Sequence, residues 1–285
     1  MTAPIWKGAW SFCPEQVQQA IKKINLKNKG DQEDLGIYKD LWLKWTKDFN
    51  GSEKYKQWAI CNGIHDALIQ QIAYRSKTVK TFYIFKTDYR FYPIILEPYN
   101  FIEINEKLID TIMPNSYVII SQPNHEGGIT PWFAKLVEHC RKVKTKIFLD
   151  CAFFGTTLDK MNVYDDTFDC VAFSLSKNFM LGGFRAGIVF GNDLAKTLTI
   201  PIDHRLNHNY YNSCAVQLAK RIMTRFHATY VTEVAKPIQI EHCWLVGLQP
   251  CDIWMMGKNG EGERINLVDR LRDQVQHELD KNGSI

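Results

Sequence analysis

VAFSLSKNFMLGGFRAGIVFGND, residues 171–193, sets one lysine after two serines, then a glycine pair, then an arginine eight positions beyond the lysine. The short apolar runs VAF and AGIVF flank turn-forming residues, so the segment is expected to be strand, exposed loop, strand. Lys177 then stands where a strand ends, which is where open α/β sheets keep their ligands.

On both sides of this segment the sequence alternates between helical and extended patterns. Upstream, the helix PEQVQQAIKKIN and the charged linker LKNKGDQEDLG precede a helix at IYKDLWLKWTKDF. Then come strand QWAIC, turn NGI, helix HDALIQQIAY, strands TFYIF, YPIIL and SYVIIS, loop QPNHEGGIT, helix PWFAKLVEHCRKV and strand KIFLD. Strands separated by helices of this length predict a mainly parallel central sheet with helices on both faces, an α/β fold. Downstream, one helix is expected over SCAVQLAKRIMTRFHATYVTEV. Strand-like pieces follow at HCWLVG, CDIWMM and RINLV, and then a last helix, VDRLRDQVQHELD. The expected division is an N-terminal helical segment over 1–50, a large ligand-binding domain over 51–215 and a reduced α+β small domain over 216–285. The strand ends at Ser121, Asp150 and Ser174 converge on one edge of such a sheet, bringing an acid, a primary amine, an arginine and a helix-opening glycine turn into one site.

Composition narrows the function classes. Of 285 residues, 45% are hydrophobic and 13% aromatic, enough for one large core or two unequal ones. The net charge of +4 comes from 35 basic and 31 acidic residues without a run of like charge, which argues against nucleic acid as a partner. No apolar run reaches the roughly 18 residues of a membrane helix, and MTAPIWKGAW has no basic region followed by an apolar stretch. The eight cysteines avoid C-x-x-C spacing and fall in apolar contexts, as reduced core residues of a cytoplasmic protein do. His204 and His208 in DHRLNHN stand four apart, but no carboxylate or cysteine accompanies them at ligand spacing, and no metal site is expected.

In six places the sequence resembles the fold-type-I pyridoxal phosphate enzymes, typified by class I and II aminotransferases. The signature S-x-[SA]-K followed by arginine eight residues later and x-G is met by Ser174-Leu175-Ser176-Lys177 and Arg185-Ala186-Gly187. D-x-A-Y-x-G appears as Asp150-Cys151-Ala152-Phe153-Phe154-Gly155, and P-N-N-P-T-G as PNHEGG over 123–128. NGIHDAL matches the glycine turn that opens the first core helix. Tyr89-Arg90-Phe91-Tyr92 matches the aromatic followed by x-x-Y, and GEGERINL, with Arg264, matches G-x-x-x-R-I-N-[LF]. The matches keep family order from about residue 58 to residue 267.

The resemblance implies pyridoxal 5'-phosphate as cofactor and a small-molecule amino acid as substrate. Lys177 would supply the primary amine that condenses with the cofactor aldehyde and later moves a proton. Arg185 is the bidentate partner expected for the phosphate, with the Ser174 and Ser176 hydroxyls and the amides of Ile64 and His65 completing the cup. Asp150 would face the pyridine nitrogen, Tyr89 would stack on the ring, and Arg264 would bind the α-carboxylate.

Two departures qualify the match. Phe153 stands where the family usually has a tyrosine whose hydroxyl bonds the ring oxygen. The asparagine that contacts the same oxygen falls on His125, with Asn124 as the alternative register. The interval from Lys177 to Arg264 is also short, as if the small domain were reduced. The expected activity is amino-group transfer from an α-amino acid. A lyase, cyclase or decarboxylase using the same cofactor is the alternative, and a non-catalytic regulatory protein is the alternative from another class. Retention of Lys177, Asp150 and Arg185 together argues against the last. A homodimer is expected, with Tyr211, Asn212 and Ser213 as candidates to reach the neighbouring site.

Overall fold

The computed structural model describes residues 12–24, 35–124, 127–179, 181–203 and 212–282. Two helices open the chain, α1 (Glu15–Lys22) and α2 (Leu35–Trp45), followed by β1 (Phe49–Asn50) and β2 (Gln57–Cys61). The alternating part continues with α3 (Ile64–Arg75), β3 (Phe82–Phe85), α4 (Tyr92–Leu96), β4 (Phe101–Ile104), β5 (Tyr117–Ser121), α5 (Phe133–Lys142) and β6 (Lys146–Asp150). Then come β7 (Met161–Asn162), β8 (Phe168–Ser174), β9 (Gly187–Gly191), α6 (Lys196–Asp203), α7 (Ser213–Arg225) and α8 (Tyr230–Leu245). The chain closes with β10 (Gln249–Pro250), β11 (Met256–Lys258), β12 (Arg264–Asn266) and α9 (Val268–Asn282).

Seven strands form the central sheet in the order β2-β9-β8-β6-β5-β3-β4. The pairs β3/β4, β3/β5, β5/β6 and β6/β8 are parallel, whereas β9 runs against both of its neighbours. The expected mainly parallel α/β sheet is therefore present, with β9 alone reversed. The central strands read as near-continuous apolar runs because both sheet faces are covered. Successive side chains alternate between two cores. Val118 and Ile120 join the face covered by α2, α7 and α8, while Tyr117 and Ile119 join the face covered by α3, α4 and α6.

Two tethers orient the elements that reach the site. At the far end of α3, the Arg75 guanidinium pairs with buried Asp169 of β8, which also accepts from Tyr117 Oη and Gln71 Nε2 at 2.7 Å each. Breaking such a buried pair by removing one partner costs about 3–5 kcal/mol, so α3 is held firmly with its N-terminus toward the opposite edge. Across the sheet, Trp42 and Trp45 of α2 pack on Phe154, Phe173 and Phe179. Tyr38 Oη there donates to Gly187 O at 3.0 Å.

The three-stranded antiparallel sheet β10-β11-β12 packs with α8 and α9. The segment leading into β11 is bonded to two loops of the large sheet: Ile253 N donates to Gly127 O at 3.1 Å and Trp254 N to Thr156 O at 3.2 Å. Gln239 Nε2, from α8, donates to the carbonyls of Cys251 and Ile253 at 3.0 Å each.

Three local expectations are corrected. YPIIL is not a strand but the single-turn helix α4. Pro93 sits in its first turn, where the missing amide costs nothing and the fixed φ suits a helix. The edge strand is instead FIEI, whose exposed Ile102 and Glu103 break the apolar pattern. HCWLVG is not extended but carries the end of α8, with Trp244 and Leu245 both 78% exposed. The long helix expected from residue 213 is two. Phe226 leaves the helical region at φ −125°, ψ 139°, and Thr229 opens α8 by donating to Glu233 Oε1 at 2.6 Å.

Candidate active site

The C-terminal ends of β2, β3, β5, β6 and β8 all arrive at one edge of the sheet. Because β9 is reversed, its first residue arrives there too. A cavity of about 880 Å³ opens at this edge, a size suited to a small ligand.

Gly63, between β2 and α3, adopts φ 82°, a left-handed conformation that side chains disfavour, and a Cβ there would lie 3.1 Å from the Arg185 guanidinium carbon. The arginine therefore rests directly on the N-terminus of α3, whose first amides, including those of Ile64 and His65, have no intrahelical acceptor. Arg185 reaches this place from the β8–β9 loop with φ 55°, itself left-handed. Burial and then the Arg185 charge push the His65 pKa below its ordinary value, against the opposing charge of Asp66. Among the described residues no carboxylate pairs with Arg185. A guanidinium fork, helix amides and the positive end of a helix dipole thus meet in one concavity, which suits a phosphate dianion.

Ser174 ends β8, and its Oγ lies 2.7 Å from that of Ser176. Lys177 follows, partly buried, with Nζ 5.3 Å from the centre of the Phe153 ring. Burial pushes its pKa below the ordinary lysine value, and the Asp150 charge opposes that shift. Asp150 ends β6 and is 6% exposed. Its Oδ1 accepts from Ala152 N at 2.8 Å and its Oδ2 from Tyr92 Oη at 2.9 Å. Burial raises its pKa to about 6; the Ala152 amide, the Tyr92 hydroxyl and Lys177 act in the opposite direction.

The turn after β3 closes the third side. Tyr89 faces the cavity with 40% exposure, its ring 5.4 Å from that of Tyr92 at 82°. Burial and then the Asp150 charge raise its hydroxyl pKa. Asp88, 6% exposed, accepts from Tyr89 N at 2.7 Å, from Ser121 N at 2.8 Å and from the Ser121 hydroxyl. Burial lifts its carboxyl pKa to about 7 against those hydrogen bonds, with Asp150 adding to the rise. Arg264, at the start of β12, brings the small sheet to the same cavity.

Of the residues expected in the site, Ile64, His65, Tyr89, Asp150 and Phe153 line this cavity. Ser174, Ser176, Lys177, Arg185 and Arg264 do so as well. Asn124 is not among the lining residues: it is 2% exposed, and its backbone N–H donates to Gly128 O at 2.9 Å within the loop. His125, Tyr211, His204 and His208 lie outside the described residues. Asn212 caps α7 by accepting from Ala215 N at 3.1 Å, and its own amide donates to Asn62 Oδ1 of the same chain at 3.2 Å. Asp88, Ser121 and Tyr92 were not expected. Tyr92 lay within the motif built around Tyr89 and marked its own position. The burial of Asp88 is set by strand neighbours distant in sequence and left no local trace.

Residues 105–258 match the profile of the family described as Aminotransferase class I and II, more than half of the 285-residue chain. The chain belongs to the class I and II aminotransferases. The match covers Asp150, Lys177 and Arg185, whereas α3, Tyr89 and Arg264 lie outside it. Among solved structures with this fold is a PLP-bound C-S lyase from Staphylococcus hominis, with TM-score 0.64, 14% identity and coverage of 86% of this chain and 71% of that one. Another is a probable N-succinyldiaminopimelate aminotransferase from Thermus thermophilus, with TM-score 0.61, 13% identity and coverage of 95% and 83% respectively. An L-threonine-O-3-phosphate decarboxylase from Porphyromonas gingivalis has TM-score 0.62 and 12% identity over 87% of this chain and 79% of its own. At such identities these likenesses concern the fold alone. A comparison with curated protein sequences finds no match.

Membership makes this an aminotransferase-like enzyme, and the cofactor that the sequence resemblance implies is pyridoxal 5'-phosphate. The cavity fits that group by its own features: an anion cradle that a Cβ at Gly63 would fill, an amine held below its ordinary pKa, and a buried carboxylate at the other end. No helix among the described residues is long and apolar enough to cross a membrane.

Proposed function

We propose that this enzyme transfers the amino group of an α-amino acid, with Lys177, Asp150 and Arg185 as the residues on which the reaction depends. The observation that carries the reading is the meeting of these three side chains in one cavity. Arg185, the amides of Ile64 and His65, and the hydroxyls of Ser174 and Ser176 bind the cofactor phosphate. Asp150, kept ionised by the Ala152 amide and the Tyr92 hydroxyl, holds a proton on the ring nitrogen. Tyr89 covers one ring face. When bound, the cofactor serves as the sink for the electron pair released at the substrate α carbon. Lys177 would supply the amine that holds the cofactor, and its neutral form would take the proton from the substrate α carbon and hold it for return. Burial favours the neutral amine that this task needs. Arg264 orients the α-carboxylate through its planar fork.

A second reading, elimination or decarboxylation with the same cofactor, is supported by Phe153. Its ring lines the cavity without the hydroxyl that would restrain the cofactor's ring oxygen. We further read the active form as a cytoplasmic homodimer. All eight cysteines are unpaired, which agrees with a reducing compartment, and Tyr211, Asn212 and Ser213 are the candidates that the resemblance offers for contact with a second copy.

The purified enzyme is expected to absorb as a lysine-linked cofactor does. Borohydride should fix the cofactor to the wild type, and Lys177→Ala should abolish that fixation. Titration with amino acids that bleaches the band into the amine form supports transfer, while release of an oxo acid with ammonia supports elimination. Failure to take up pyridoxal phosphate at saturating concentration refutes the proposal.

A further inference from the structure

The residue after Lys177 carries a buried amide that the reaction does not use. Asn178 is 4% exposed, and a polar side chain so placed is costly unless it is hydrogen-bonded. Its Nδ2 donates to Ala228 O at 3.1 Å, in the joint between α7 and α8. The way there passes over Gly155: a Cβ on that glycine would lie 2.1 Å from Asn178 Nδ2 and 2.8 Å from Ala228 O. Gly155 also has φ 74°, so both the backbone and the space require glycine. Three segments therefore meet at one amide: the turn that carries Lys177, the turn that leads from Asp150 to Gly155, and the α7–α8 joint.

The joint is held by other contacts as well. Thr232 Oγ1, from α8, donates to Gly155 O at 2.6 Å. The ring of fully buried Phe179 lies 6.1 Å from that of Phe226 and 5.8 Å from that of Trp45. The middle turn carries Phe153, whose ring centre is 5.3 Å from Lys177 Nζ. An amide that pins the lysine turn to this phenylalanine turn thereby sets how deeply the amine is buried, and burial is what favours its neutral form. Asn178 Oδ1 is also buried and has no hydrogen-bond partner among the described residues. Leucine would fill the same space without that penalty, so packing alone does not account for an asparagine here.

We propose that Asn178 is a positioning residue: by its bridge over Gly155 to Ala228 it holds the Lys177 amine against Phe153, in the place from which the amine acts. This inference rests on the proposed function, and the test separates the two. Cofactor-free enzyme is mixed with pyridoxal 5'-phosphate and the rate of linkage is followed by absorbance from about pH 6 to 10, for wild type, Asn178→Leu and Thr232→Val. Thr232→Val removes a hydrogen bond of the same joint without touching the lysine turn, so it reports what lost stability alone does; denaturant titrations should show both variants weakened. The groups that share the cavity wall with Lys177 are Asp150, Asp88, Tyr89, His65, Arg185 and Arg264, and neither substitution alters any of them. The amine condenses when neutral, and a loosened amine regains water, so its pKa moves back up toward that of an ordinary lysine. The Asn178→Leu profile should therefore move up by about one pH unit, with a rate about 10-fold lower at pH 7. Asn178→Ser, too short to reach Ala228 O, should move the same way and replaces the leucine variant if that does not fold. Thr232→Val should follow wild type to within about 0.2 unit. An Asn178 profile that coincides with wild type or moves down refutes the inference alone, and so does a Thr232→Val profile shifted as far. No uptake of pyridoxal phosphate by wild type refutes the proposed function and this inference with it.

Discussion

Replacing Tyr92 by phenylalanine removes the hydroxyl that donates to Asp150 Oδ2 at 2.9 Å, in a place where the tyrosine is 1% and the acid 6% exposed. Burial already raises the Asp150 pKa to about 6, and the hydroxyl is one of the groups that limit the rise. A hydrogen bond to a charged acceptor contributes roughly 1.5–3 kcal/mol. At 1.36 kcal/mol per pKa unit, its loss should move the carboxyl up by about one to two units. At pH 7 the ionised fraction of Asp150 would then fall from roughly nine-tenths to roughly a quarter for a shift of about 1.5 units. If cofactor binding requires the ionised acid, the apparent dissociation constant rises about fourfold at pH 7 and converges with wild type above pH ~9. The assay is the affinity of cofactor-free enzyme for pyridoxal phosphate, by fluorescence titration at half-unit steps from pH 5 to 9.5. Wild-type affinity should weaken below about pH 6, and the variant should begin to weaken between one and two units higher. Profiles that coincide, or that differ by a constant factor at every pH, would mean that Tyr92 does not act through the ionisation of Asp150.

The cofactor-free enzyme should lose stability as pH rises. The Asp150 and Asp88 pKa values lie above the ordinary carboxylate range, at about 6 and about 7. The folded state therefore holds more protons than the unfolded one between that range and those values, and unfolding free energy falls with pH through this window. Denaturant titrations from pH 4 to 8 should show the fall, and Asp88→Asn should flatten its upper half; a profile that rises with pH contradicts the assignment. Phe153→Tyr should add one donor to the cofactor's ring oxygen and lower the pKa of the Lys177–cofactor linkage by about one unit, from the same hydrogen-bond range. A spectrophotometric pH titration that finds it unchanged or raised would mean that Phe153 does not face that oxygen.

Much of the sheet and site was legible because one strand pattern and one loop pattern coincide. Ser174, Lys177 and Arg185 belong to a single local segment, and Asp150 ends an apolar run whose polar last residue announces a strand end. The errors arose where local pattern underdetermines structure. YPIIL and HCWLVG are apolar runs too short to carry a period, so proline position and neighbouring helix length decided them. FIEI was passed over because an edge strand exposes half of its residues. Tyr92 and Asp88 owe their places to contacts with Asp150 and Ser121, from strands far along the chain.

The reversal of β9 also bears on how the enzyme can vary in length. Ser174 and Gly187 are paired across β8 and β9, so Lys177 and Arg185 hang from a loop whose two ends are fixed to each other by the sheet ladder. Residues added to most surface loops cost little, and a family tolerates them there. In this loop an insertion must either bulge outward or slip the strand pairing, and a slip of one residue turns every β9 side chain to the opposite face. Tyr38, whose hydroxyl holds Gly187 O from the adjoining helix, adds a third point of attachment. On the proposed function, the interval between amine and guanidinium would act as a gauge block for the length of the cofactor, and variation in chain length among relatives should fall elsewhere.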